Sequence, residues 1–181
     1  MDEVDILALL LHKADARKLL TEDPVALCQR FQINETYLPF LSGLNREQLD
    51  EQALSLIQKR ISEISFFAPR SLKSLNDQLM EKFLSTNADL WPRGSNRHML
   101  DANCFLESLA EQRDPAVDYR ELNSLRFQVR KRSIALYLLR PSLHHGWGIQ
   151  CIWKVRSGYR YRYLCARTNV QSLRRQPESC E

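Results

Sequence analysis

The sequence is poor in glycine, with five glycines and seven prolines among 181 residues. So few chain-breaking residues argue against a fold dominated by loops. It also has no apolar run of the ~20 residues that a membrane-spanning helix needs. The first residues are acidic, whereas a secretory signal begins with basic residues and ends at a small-residue cleavage site. We therefore expect a cytoplasmic protein that does not contact a membrane.

The signatures of metal sites and of catalysis are missing as well. The five cysteines are widely spaced, with no CxxC or CxxH pairing, so we expect reduced and mostly buried thiols. No glycine-rich phosphate loop, GxSxG motif or pair of catalytic acids occurs. The tandem His144-His145 has no third ligand at a suitable spacing and is interpreted as a polar loop. We predict no catalytic residue and no metal ligand in this chain.

The charges are divided unevenly along the chain. Residues 1–125 hold 14 lysines and arginines against 20 acids, whereas residues 126–175 hold 12 lysines and arginines and no acid. One half of the protein therefore repels what the other half attracts. The basic half is predicted to meet an acidic surface, a peptide or a nucleic acid.

Apolar residues recur with helical spacing over the first ~112 residues. Asp23 before Pro24, Asn34, and Asn45 three residues before Gln48 are predicted N-caps. The longest predicted helix follows Asn45 and ends before Pro69, and a further helix restarts at Ser71. A last helix contains Met99 to Leu109.

From about residue 126 the hydrophobic period changes from 3.6 to 2. Residues 133–140, 148–156 and 159–167 are predicted strands, with Ser157-Gly158 as the hairpin turn between the last two. The fold class is therefore α+β, a helical bundle followed by a small three-stranded antiparallel sheet. The predicted organisation is a helical partner-binding region at 1–125, a basic β-sheet region at 126–175 and a polar tail at 176–181.

The third strand, YRYRYLCAR, alternates aromatic and arginine residues and allows three interpretations. In the first, the tyrosines pack on the helices while the arginines face water. In the second, the rings and arginines form a nucleic-acid platform. In the third, the edge of the strand binds a peptide. No RNP-type or GXXG motif supports nucleic-acid binding, which is therefore kept only as an alternative.

A family resemblance rests on residues 44–83. They resemble helical partner proteins encoded beside iron-containing TIM-barrel enzymes that modify ribosomally made peptides. The positions that match are Leu44, Arg46, Gln52, Ala53, Leu56, Lys59, Arg60, Glu63, Ile64, Pro69, Leu72, Leu79 and Phe83. Residues 102–111 resemble a later helix of the same pattern. With its C-terminal basic sheet and its length, the chain is similar to the MbnC-type partner subunits of methanobactin biosynthesis.

The resemblance implies a non-catalytic subunit that acts with an iron enzyme. In this family a TIM-barrel partner (MbnB-like) supplies the iron and uses dioxygen to convert cysteines of a precursor peptide (MbnA-like) into oxazolone and thioamide groups. The chain described here would hold no cofactor itself. It would bind the leader segment of the peptide and present the cysteines to its partner.

Two sets of residues are predicted to carry this role. Leader binding by strand addition is assigned to the third strand, which has a free edge: Tyr159, Arg160, Tyr161, Arg162, Tyr163, Leu164 and Cys165. The first strand has the other free edge and stays open as an alternative. Contact with the iron enzyme is assigned to aromatic and arginine residues at helix ends: Arg60, Phe66, Phe67, Trp91 and Arg93.

Overall fold

The computed structural model describes residues 1–88, 90–156 and 158–165, and of Cys165 only the backbone. The predicted tail at 176–181 and part of the predicted third strand lie outside these residues. The described chain is α+β, with helices that precede a three-stranded antiparallel sheet, as the sequence predicts. It forms two compact units, one of residues 1–64 and 80–101 and the other of residues 65–79 and 102 onwards.

The helices follow one another with short connections. Their bounds are α1 Glu3–His12, α2 Ala14–Glu22, α3 Pro24–Phe31, α4 Leu38–Ser42, α5 Arg46–Ser65, α6 Pro69–Leu75, α7 Leu79–Thr86, α8 Arg97–Glu111 and α9 Tyr119–Val129. Short 3₁₀ turns at Glu35–Tyr37 and Asn76–Gln78 precede α4 and α7.

The predicted helix starts are confirmed because they depend on local chemistry. The Asp23 side chain accepts hydrogen bonds from the backbone N–H groups of Val25 and Ala26, and Asn45 accepts one from Gln48. Asn34 likewise caps the turn that begins at Glu35. An apolar cluster in the first unit contains Ile6, Leu10, Ala16, Leu20, Leu27, Cys28, Ile33, Leu41 and Leu49.

The segment after Pro69 differs from the prediction. Pro69 is the first residue of α6 and not a stop signal for α5, which already ends at Ser65. The single helix expected from Ser71 is broken at Asn76, where φ is 43°. The chain therefore leaves helical geometry between α6 and α7.

The sheet is a simple meander of β1 Ile134–Leu139, β2 Gly148–Val155 and β3 Gly158–Cys165. Gly158 pairs with Val155 and belongs to β3, so it is a strand residue and not the turn residue that was predicted; the other predicted turn residue, Ser157, is not among the described residues. Helix α9 was not predicted, and it runs across the expected boundary at residue 125. Its Phe127 packs with Ala135 of β1 and Ile152 of β2, so the helix and the sheet belong to one folded unit.

Candidate functional site

Side chains on the two faces of the sheet have different chemistry. The register aligns Tyr137, Gln150 and Tyr163 across the three strands, and two residues further along it aligns Ala135, Ile152 and Tyr161. Because alternate residues of a strand point to opposite faces, all three tyrosines of β3 lie on the face that α9 covers. The face that α9 packs against is called the inner face, and the opposite one the outer face.

Tyr159 and Tyr163 of β3 contact α9 without being fully buried. Tyr159 Oη accepts a hydrogen bond from Gln128 Nε2 at 3.0 Å, and its ring lies 6.2 Å from that of Phe127. The Arg120 guanidinium lies 5.5 Å from the ring centre of Tyr163. Tyr159, Tyr161 and Tyr163 remain 37–50% exposed. Tyr159 and Tyr163 therefore contact α9, as one of the three interpretations predicts, and all three tyrosines also offer surface to a ligand.

The phenol of Tyr163 is perturbed by its surroundings. Burial, and next the neighbouring Tyr161, raise the pKa of Tyr163 to about 12. The two rings lie 5.0 Å apart. Tyr163 is therefore neutral at physiological pH and keeps a hydroxyl proton that it can donate to a ligand.

The outer face is apolar and exposed. Leu136 is 71% and Leu164 is 74% exposed, and both arginines of β3, Arg160 and Arg162, are exposed on the same face. The other apolar residues of this face are Ile134, Leu138, Ile149, Cys151, Trp153 and Val155. Apolar and arginine side chains thus form one continuous surface.

The outer edge of β3 presents backbone groups to solvent. Lys154 N–H donates to Ser133 O at 2.8 Å, so Lys154 directs its backbone groups towards β1 and away from Tyr159, its opposite residue in β3. In an antiparallel ladder the pairs alternate. Tyr159, Tyr161, Tyr163 and Cys165 therefore point their N–H and C=O groups away from β2. Among the described residues, no strand pairs with this edge or with the outer edge of β1.

The residues predicted to contact a partner have unequal surroundings. Phe66 is 79% and Phe67 is 38% exposed, and Arg93 is also exposed. Trp91 is half-buried, and its ring stacks on that of His12 with 3.8 Å between the ring centres. Burial, and next the charge of Arg60, lower the pKa of His12, so its ring in this stack is neutral near pH 7.

Arg60 is not a surface residue, which does not fit the prediction for it. It is 6% exposed and forms a bidentate ion pair with Asp101, at 2.9 Å from Nε to Oδ2 and 2.8 Å from Nη2 to Oδ1. Its remaining donors reach the backbone carbonyls of Asn87, Ala88 and Leu90. The guanidinium also lies between the rings of Phe83 and Trp91. Arg60 therefore stabilises the first unit and has almost no surface left for a partner.

Sequence reasoning missed a buried carboxylate at Asp118. It is fully buried, accepts hydrogen bonds from the backbone and side chain of Arg120 at 2.8–3.0 Å, and pairs with Arg70 at 3.4 Å. His145, expected in a polar loop, is buried as well. Its Nε2 approaches Asp118 Oδ1 to 3.3 Å without the alignment of a good hydrogen bond. The signal in the sequence was the N-cap position of Asp118 before α9.

Asp118 gives the protein a specific sensitivity to acid. Burial alone would raise its pKa, but contacts with His145 and Arg120 hold the pKa far below its usual value of 3.8. A carboxylate with a depressed folded-state pKa stabilises the fold fully above the unfolded pKa, and this stabilisation is lost as the pH falls below about 4. We expect Asp118→Asn to have a smaller loss of unfolding free energy between pH 5 and pH 3 than the wild type, by about 1 kcal/mol, because the unfolded carboxyl begins to bind its proton only near pH 4. Urea unfolding of both proteins at pH 5 and at pH 3 measures this difference.

The matched control for this experiment is Asp77→Asn, because Asp77 is exposed in the same unit. It should keep the pH dependence of the wild type. An Asp118→Asn protein whose stability falls with acid as steeply as that of the wild type would contradict the assignment.

No group of three or more His, Cys, Asp or Glu residues in the described part of the chain is placed to hold a metal ion. No helix among the described residues has the length and apolar character to cross a membrane. No protein-family model, curated protein or solved structure matches the chain.

Proposed function

We propose that the chain is the non-catalytic, peptide-binding subunit of an iron- and dioxygen-dependent enzyme of the methanobactin-biosynthesis type. Its leader peptide adds to the outer edge of β3 as a fourth strand. The observation that carries this proposal is the orientation of Tyr159, Tyr161 and Tyr163, whose backbone groups point outward on an edge that no strand of the described chain pairs with. Main-chain hydrogen bonds to such an edge supply affinity that depends little on the peptide's sequence.

The two faces of β3 determine which side chains the peptide should have. On the inner face, every second residue of an added strand meets the exposed parts of Tyr159, Tyr161 and Tyr163, which suit apolar or aromatic groups. On the outer face, the intervening residues meet Arg160, Arg162 and Leu164, which suit carboxylates and aliphatic groups. A leader with acidic and apolar residues fits this surface, and the basic character of residues 126–175 attracts it over a longer range.

The alternative, a nucleic-acid platform on the same strand, has less support. Stacking of bases next to backbone phosphates needs rings and cations on one accessible surface. In β3 the tyrosines and arginines point to opposite faces, and the tyrosines lie against α9. This separation favours the peptide over a nucleic acid.

The second half of the proposal is a surface for the iron enzyme. Phe66 and Phe67 follow the end of α5, and a large exposed aromatic pair is typical of the centre of an interface. Arg93, Trp91 and the buried Arg60 belong to the other unit, and of these three only Arg93 is exposed. We therefore place the main contact at the two phenylalanines.

Native mass spectrometry after co-expression with the TIM-barrel iron enzyme and the precursor peptide tests both halves. We expect a complex of the two subunits that gains the peptide. Phe66→Asp should abolish the complex, because it places a charge in a desolvated contact, and it should leave the unfolding free energy within about 0.5 kcal/mol, since Phe66 is exposed. Lys59→Asp, at an exposed position within α5, is the control and should keep the complex. A chain that stays monomeric beside both proteins would contradict the proposal.

A further inference from the structure

A concave surface lies beside β1, the edge strand at the other end of the sheet from β3. It is a cavity of 450 Å³ in the second unit, walled by α8, α9 and the end of β1. The residues that line it are Glu107, Ala110, Glu111, Arg113, Tyr119, Asn123, Arg126, Tyr137, Leu138 and Arg140. Its size is sufficient for a small organic acid or one long side chain of a peptide.

Two buried polar groups in this wall lack partners. The Nδ2 atom of Asn123, a residue that is 2% exposed, and the hydroxyl of Tyr137 are both buried, and neither has a hydrogen-bond partner among the described residues. A buried polar group without a partner costs about 1–3 kcal/mol. Such a cost is expected where a ligand supplies the missing partner. Because an amide N–H donates and a hydroxyl can donate, the missing partner is an acceptor.

The charges of the wall favour an anion. Three arginines and two glutamates line the cavity, and one pair, Arg126 and Glu107, is already joined at 3.0 Å. Arg113, Arg140 and Glu111 remain around the opening and are exposed, so the balance is positive. A guanidinium matches a carboxylate in both charge and geometry.

Arg113 occupies a backbone position that favours glycine. It follows the end of α8 with φ at 58°, and the hydrogen bonds from Arg113 N to Ala110 O and from Asp114 N to Leu109 O form a Schellman motif. The left-handed residue of this motif is usually glycine, because other residues are strained there. Arg113 therefore lies at the cavity opening with a strained φ, a backbone geometry that Gln32 and Lys131 also adopt after α3 and α9.

We propose that this cavity binds a carboxylate group, with Asn123 Nδ2 and the Tyr137 hydroxyl as donors and Arg113 as the cation. The site is distinct from the strand-addition edge on β3 and does not depend on the proposed function. Its ligand is either a free small carboxylate or an acidic side chain of a peptide that lies along the edge of β1.

Two probes separate these sources in a titration of the ¹⁵N-labelled full chain. Glutarate represents the free acid, and the blocked tripeptide acetyl-Val-Glu-Val-amide represents an acidic side chain in an extended peptide. Binding of either should shift the side-chain amide resonance of Asn123, and the tighter of the two identifies the source. The neutral diamide glutaramide is the control and should bind at least about tenfold more weakly than glutarate.

Two variants test the donors without threatening the fold. Tyr137→Phe should weaken the probe about fivefold while the urea midpoint of unfolding stays the same or rises, because the hydroxyl has no protein partner to lose. Arg113→Gly should weaken the probe about tenfold and raise the midpoint, because glycine relieves the strained φ. Improved stability together with weaker binding is the expected signature of a binding site.

Two results would overturn the proposal. The first is an Asn123 resonance that neither probe shifts at millimolar concentration, together with a lower midpoint for Tyr137→Phe, which would mean that water fills the cavity and satisfies the hydroxyl. The second is a probe that binds Tyr137→Phe and Arg113→Gly as tightly as the wild type.

Discussion

Replacement of Tyr161 by proline is expected to weaken binding of the leader peptide at least tenfold, which corresponds to about 1.4 kcal/mol. The Tyr161 N–H points away from β2, so proline removes a donor that only an added strand would use. Proline is tolerated at an edge strand where its missing N–H would face solvent. Fluorescence anisotropy with a labelled leader peptide measures the affinity, and urea unfolding checks the fold.

Two control variants separate the backbone from the side chain. Tyr161→Ala keeps the N–H and should lose much less affinity than the proline variant. Arg162→Pro removes a donor that pairs with Cys151 of β2, so it should lower the unfolding free energy of the protein itself. Equal affinities of the alanine and proline variants would argue against pairing along β3 and would redirect attention to the edge of β1.

Arg60→Met is expected to destabilise the protein by about 3–5 kcal/mol. It leaves the carboxylate of Asp101, which is 3% exposed, without its cation, and it removes the Arg60 donors from the carbonyls of Ala88 and Leu90, whereas Asn87 O still accepts from Leu90 N–H. The Arg60 contacts with Phe83 and Trp91 are replaced only in part by the methionine side chain. The free energy of unfolding in urea, followed by circular dichroism, measures this loss.

The double variant Arg60→Met with Asp101→Leu distinguishes a buried charge from lost packing. Removal of both ions of a buried pair is often close to neutral, so the double variant should recover a large part of the stability that Arg60→Met loses. Lys59→Met, at the exposed neighbouring position, should remain within about 0.5 kcal/mol of the wild type. A loss below about 1 kcal/mol for Arg60→Met would mean that solvent reaches the ion pair.

Features set by neighbouring residues could be predicted from the sequence. Asp23, Asn34 and Asn45 cap backbone groups two or three residues away, so their roles need no tertiary information. The three strands were predicted because they are rich in β-branched and aromatic residues. The sequence also contained a signal for the burial of Arg60, because this residue lies at helical spacing from Leu49, Ala53 and Ile64 in α5. All four residues are buried.

Features that depend on distant residues could not be predicted in this way. Both faces of β1 are apolar, with Ala135 and Leu139 on one side and Leu136 on the other, so only the position of α9 determines which face is covered. Asn76 gave no local reason for the break between α6 and α7. The cavity beside β1 combines side chains from α8, α9 and β1, and no stretch of sequence contains it.

The contacts of Asp118 also have a consequence for how the second unit opens. Its partners come from three separate stretches of chain, around Arg70, Arg120 and His145. Ser71 joins the first stretch to the second, since its hydroxyl accepts from Asp118 N–H and donates to Glu121. Loss of any one stretch would leave a buried charge only partly compensated, which is costly. The unit should therefore open in one cooperative step, and amide protons in α6 and α9 should exchange with solvent at similar free energies.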